Sequence, residues 1–262
     1  MKKLNPFIKI LLLFIGYFTI VLGGRFILFT TLHIDKEICR ILLIILEVIY
    51  LFILMKLWNL ESIISFQPKS FFRGLIIGLS MILFCTFGGI VGLEDVGDTP
   101  FTSISHIYYW IIVYIISAGF VEEVMTRGFI INLVIEKFPF TRKRNVIIAC
   151  TISAVLFGLT HIMNMASTGE FPLGQILQTT GMGLIFGAIY VRTRCIWSNI
   201  AVHAYWDIMI GLSSILFAIE KTTASKTLIE DLTFSGPVLL VYILIFIFLM
   251  REKKKNEYLV NE

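Results

Sequence analysis

Glu47, Glu122, Glu123, Arg127, His161, His203 and Asp207 all fall inside long apolar stretches of this 262-residue sequence. A glutamate and a histidine can take a proton from water and return it to a leaving group. A histidine can also hydrogen-bond an oxygen on which negative charge develops. Two histidines and a carboxylate could instead hold zinc, with water as the fourth ligand. The spacing sorts the candidates. Glu123 and Arg127 stand at i and i+4 on a helix, in the favourable order for an ion pair, so Glu123 reads as neutralised and structural. Glu122 lies about 100° round the same helix and is left to face something else, in the low-dielectric setting that suits a general base. Phe157-x-x-x-His161 places ring and imidazole on one face of a second helix, and His203-x-x-x-Asp207 repeats the interval on a third.

The elements that must position these groups are membrane helices. Hydrophobic residues make up 57 % of the chain and charged ones 15 %, against about 25 % charged in an average globular protein. With a mean hydropathy of +0.89, a soluble fold of this size could not hide so much apolar surface, and a water-soluble enzyme is excluded. An ionisable side chain at the bilayer centre costs at least about 2.5–3.5 kcal/mol, so each of those above needs a reason to be there.

Eight apolar stretches follow one another: 10–32, 41–55, 74–93, 99–121, 145–169, 171–191, 195–218 and 232–250. The fourth continues through Glu122, Glu123 and Arg127 and resumes at 128–135, as one long helix or a helix pair. The expected fold is therefore all-α: a single polytopic membrane domain over 1–262, with eight transmembrane helices around an intramembrane polar site. With the N-terminus inside, most basic residues fall on the cytoplasmic side, among them Lys2, Lys3, Lys56, Arg73, Arg142, Arg144, Arg194 and Lys253, and the acidic Glu94–Asp98 loop falls outside. Both termini are thus expected in the cytoplasm, in a multi-pass protein of the cell membrane. The net charge of +4 is explained by this orientation pattern, and no nucleic-acid partner is expected. Met1-Lys2-Lys3 before an apolar run could open a signal peptide, but no small-x-small cleavage site follows it, and the segment is read as the first span.

Depth along the helices gives a check. At about 1.5 Å per residue, Glu122 stands roughly 22 Å above Lys137 and His161 roughly 25 Å above Arg144, whereas His203 stands only ~13 Å above Arg194. Two of the three levels match. The four cysteines, Cys39, Cys85, Cys150 and Cys195, occur singly and read as small buried hydrophobes. Gly181, Gly183 and Gly187 form a small-residue face suited to close helix packing. Glu47 has no charged neighbour at helical spacing and is expected to bond another helix.

Glu122-Glu123-x-x-x-Arg127, Phe157-x-x-x-His161 and His203-x-x-x-Asp207, in that order on successive helices, resemble the three motifs of the CPBP family, the CAAX prenyl endopeptidases and bacteriocin-processing (Abi) proteins. The resemblance covers about residues 105–215. It implies an eight-helix bundle and an intramembrane endopeptidase with Glu122, Glu123, Arg127, His161, His203 and Asp207 as its site. Glu122 with His161 would activate water, and His203 with the residue at position 207 would steady the oxyanion. This chain has Asp207 where the eukaryotic CAAX endopeptidases have asparagine. An ionised aspartate cannot donate to an oxyanion, so Asp207 must be protonated, orient His203, or bind a metal. A metal, if used, would be zinc held by His161, His203, Glu122 and Asp207, but the HExxH signature is absent and a metal-free mechanism is favoured. The implied partner is a peptide or membrane-protein substrate in the lipid bilayer. The short loops and Lys/Ile/Phe-rich composition look like the family's bacterial branch, which implies bacteriocin self-immunity or peptide maturation. The alternative is a non-proteolytic immunity or regulatory protein that binds a peptide or sensor through the same helices. A proton-relay transporter is a third reading, with no inverted repeat to support it.

Overall fold

The computed structural model describes residues 4–138, 143–165, 169–218 and 228–251, and these residues form helices and no strands. Of the basic residues named above for orientation, Lys2, Lys3, Arg142 and Lys253 lie outside the described residues. Helix α1 spans Pro6–Thr31, opening on a proline under an Asn5 cap and passing into wide i→i+5 turns from Thr19. Helix α2, Lys36–Trp58, is capped by Asp35, whose side chain accepts from the amides of Glu37 and Ile38, and ends at Asn59 in a left-handed conformation. The Pro68–Ile77 (α3) and Leu79–Val91 (α4) helices are bent by 59° at Gly78. Helix α5 runs unbroken over Ile104–Lys137, so the fourth stretch is one long helix rather than a pair. Lys143–Asn164 (α6), Leu173–Thr193 (α7), Ile196–Ile210 (α8), Leu212–Phe217 (α9) and Leu228–Leu249 (α10) complete the described fold.

The helical segments follow the expected order, and the count of eight crossings is not confirmed. Among the described residues, five helices (α1, α2, α5, α6 and α10) are long and apolar enough to cross a membrane, and the bent pair α3–α4 makes a sixth if taken as one span. Helices α7 and α8 fall short of that test. Helix α8, at 15 residues, is too short for it, and both helices are enclosed by protein. Helix α7 is packed between α6 and α10, and α8 lies against α3, α4 and the middle of α5. A helix surrounded by protein is not asked to be apolar on every side. The last three turns of α7 are almost continuously buried.

Small residues allow that close packing. A Cβ on Gly183 would stand 2.9 Å from the Cα of Ala154, and one on Gly187 would stand 3.1 Å from the Cβ of Cys150, both on α6. Gly181 faces the ring of Tyr242 on α10 in the same way. The four cysteines are free and buried, as expected of small hydrophobes.

Candidate active site

Glu122 and Glu123 sit in the middle of α5, where the helix widens into i→i+5 turns over Tyr114–Glu122 and Val124–Ile131. Such turns are rare and concentrate at functional sites. The pairing expected from spacing is present: Arg127 Nη1 donates to Glu123 Oε1 at 2.8 Å, with both side chains wholly buried. Glu123 does more than neutralise Arg127. The same oxygen lies 2.7 Å from His203 Nδ1, and its Oε2 accepts from Asn199 Nδ2 at 3.2 Å. Two helices are thereby tied to one carboxylate. The contact places the Nδ1 proton toward Glu123 and leaves Nε2 as the working nitrogen of His203.

That nitrogen lies 3.9 Å from Glu122 Oε2 and 3.9 Å from Asp207 Oδ2. Asp207 is therefore a looser neighbour of His203 than Glu123 is. His161 is held separately: its Nδ1 is 3.1 Å from the carbonyl oxygen of Phe157, one turn back on α6. Among the described residues it makes no ion pair with the other candidates. What joins it to them is Phe157, whose ring meets His161 edge-on at 5.2 Å and His203 edge-on at 5.6 Å. The guanidinium of Arg127 lies 4.5 Å from the centre of that ring and 5.2 Å from that of Phe186, a stacking that favours a desolvated cation.

The shallow position counted for His203 has a simple cause. The count began at Arg194, but the α7–α8 turn does not lie at the molecule's surface: Thr193, Cys195 and Ile196 around it are buried. Trp197, next in line, donates to the backbone of Ile64. His203 therefore reaches the level of Glu123 from a start that is already inside.

A cavity of about 600 Å³ opens on the other side of Glu122, lined among others by Tyr17, Glu47, Ser117, Glu122, Thr160 and His161. It collects the two residues expected to work on water. His203 and Asp207 are not among its walls and stand behind Glu122. Among the described residues, no group of three His, Cys, Asp or Glu side chains is disposed to hold a metal ion. His203 and His161 each spend Nδ1 on a carboxylate or a backbone carbonyl, which leaves Nε2 as the nitrogen each could offer to another partner.

Three neighbours of the site were not singled out from sequence. Asn199 precedes His203 by four residues, as His203 precedes Asp207, so the same interval extended one turn back would have found it. Thr126 accepts from Arg127 Nη1 at 2.6 Å, and Phe186 covers both Arg127 and His203. Neither of these has a signal in spacing.

Residues 104–209 match a family model described as Rce1-like, the type II CAAX prenyl endopeptidase Rce1-like family, consistent with the CPBP family. The match begins at α5 and ends within α8, so α1 to α4, α9 and α10 lie outside it. A search of curated proteins returns no match. The matched segment is similar to a membrane-protease family and, with the apolar helices, indicates a multi-pass membrane protein.

Proposed function

We propose that this chain hydrolyses a peptide bond within the membrane, with Glu122 as the general base and His161 beside it. The observation that carries the reading is that Glu122 and His161 share the wall of one cavity while His203, held from behind by Glu123, presents Nε2 toward Glu122. Water in that cavity gives a proton to Glu122 and attacks the scissile carbonyl. The oxyanion forms as the carbonyl π bond breaks, and a protonated His203 Nε2 donates to it where the scissile carbonyl reaches past Glu122 to the α8 side of the site. Preorganised donors of this kind are worth about 2.7–4 kcal/mol of barrier each. The C–N bond then breaks, and the proton held by Glu122 passes to the leaving amine. Asp207, 3.9 Å from Nε2, supports the imidazolium rather than the oxyanion, which accounts for an aspartate at that position. No step uses a metal. The substrate we assign is a peptide or membrane protein of a bacterial cell, in bacteriocin self-immunity or peptide maturation, with both termini of the chain cytoplasmic.

The test is quantitative peptidomics of membrane and medium from cells holding wild type, Glu122→Gln or His161→Ala at matched, blot-verified levels. New peptide termini are expected with wild type alone. If the wild-type phenotype survives in Glu122→Gln and no product differs, the protein acts by binding and the hydrolytic reading fails.

A further inference from the structure

Glu47 sits on α2, far in sequence from the matched segment and outside the proton path described above. Its residue is 6 % exposed, yet it lines the same cavity as Glu122 and His161. Among the described residues, neither carboxylate oxygen has a hydrogen bond or ion pair. Arg40, two turns back on α2, is near enough to act on it electrostatically but is not within ion-pair distance, and its guanidinium lies over the ring of Trp110. The other cations of the cavity wall, Arg25 and Lys36, are exposed, and Lys36 lies over Phe29. Tyr17 stands within electrostatic reach of both Glu47 and Glu122. The buried part of the cavity thus carries two carboxylates, of which one has work in the proposed reaction and one has none.

A buried, unpartnered carboxylate is costly to keep. No described residue repays it, which points to a partner from outside. We propose that Glu47 is a specificity-determining residue, which receives a lysine or arginine side chain of the peptide bound in this cavity. The proposal rests on the reading that the cavity takes a peptide. An acceptor-only carboxylate fits such a cation, and a charge-assisted bond formed away from water is among the stronger polar contacts available. The cation would enter at α2 while the scissile bond lies at α5 and α6, so Glu47 would select the substrate and fix its register without touching the reacting atoms.

The experiment uses the full-length protein in lipid nanodiscs, in a Glu122→Gln background so that bound peptide is not consumed. The probes are fluorescent apolar peptides in which a single lysine, norleucine or glutamate is moved through every position. At one position the lysine peptide should bind about tenfold more tightly than its norleucine counterpart. Adding Glu47→Gln should bring the two peptides to equal affinity, and Glu47→Lys should reverse the preference toward the glutamate peptide. Thermal unfolding of Glu47→Gln alone should match or exceed wild type, because no internal contact is lost. A lysine preference that persists in Glu47→Gln, its absence at every position, or a fall in unfolding temperature without change in preference would each overturn the assignment. A parallel arm exposes the same peptides to wild type with Glu122 intact. Lysine-selective binding without cleavage there would refute hydrolysis while leaving the role of Glu47 standing.

Discussion

Replacing Arg127 by methionine isolates what the α5 charge pair contributes. Both members are wholly buried, so the screening that reduces surface pairs to a fraction of a kcal/mol does not apply. Arg127→Met leaves Glu123 with Asn199 and His203, neither of which is a permanent cation. Glu123→Gln leaves the guanidinium with Thr126 and two aromatic rings. Removing one partner of a buried pair costs about 3–5 kcal/mol, a large part of the roughly 5–15 kcal/mol that holds a folded domain together. The folded-to-unfolded ratio should fall by a factor of roughly 150 to 4,000. The double variant Glu123→Gln/Arg127→Met removes both charges and keeps an acceptor for His203, so it should recover most of that loss. The assay is membrane abundance by quantitative blotting, together with thermal unfolding of the purified protein in detergent. Both single variants should be scarce and labile, and the double variant should approach wild type. Single variants with wild-type abundance and unfolding temperature would refute the argument, as would a double variant whose loss is the sum of the singles.

Other expectations follow from the same geometry. Asn199→Ala removes the bonds to Glu123 and to the Phe186 carbonyl; it should cost about 1–3 kcal/mol by thermal unfolding and lower turnover through a less firmly held His203. Gly183→Ala drives a Cβ to 2.9 Å from the backbone of Ala154 and should destabilise by about 1–3 kcal/mol. Gly236→Ala, where nothing lies within 4 Å, should be neutral or mildly stabilising in the same measurement, since alanine is the better helix former. Treatment with a strong chelator, followed by elemental analysis for zinc, should leave peptide cleavage unchanged. A loss of activity restored by zinc alone would contradict the metal-free mechanism.

The helical order and the charged core were legible because the bilayer makes every buried charge conspicuous in sequence. The Glu123–Arg127 pair followed from a four-residue interval that survives even where α5 widens. The second duty of Glu123 was hidden, because its link to His203 joins residues eighty positions apart and no local spacing encodes it. The count of eight crossings is not confirmed at α7 and α8, whose surroundings are protein on most sides and whose apolarity therefore understates their burial. Glu47 was visible as an anomaly, but only the cavity shows that it shares a wall with Glu122.

The burial of α7 bears on how the chain is made. A segment leaving the ribosome is sorted into lipid largely by its own hydrophobicity, and α7, with Gln175, Gln178, two threonines and four glycines in its first fifteen residues, offers little. Its natural companions are α6, synthesised just before it, and α10, synthesised after α8. Stable insertion of α7 then requires a hairpin with α6 that forms while translation continues. It is completed only when α10 arrives to cover the remaining side. A nascent chain stopped before α10 should hold α7 loosely, open to enzymatic tagging from the aqueous side, and the last helix should act as the latch of assembly.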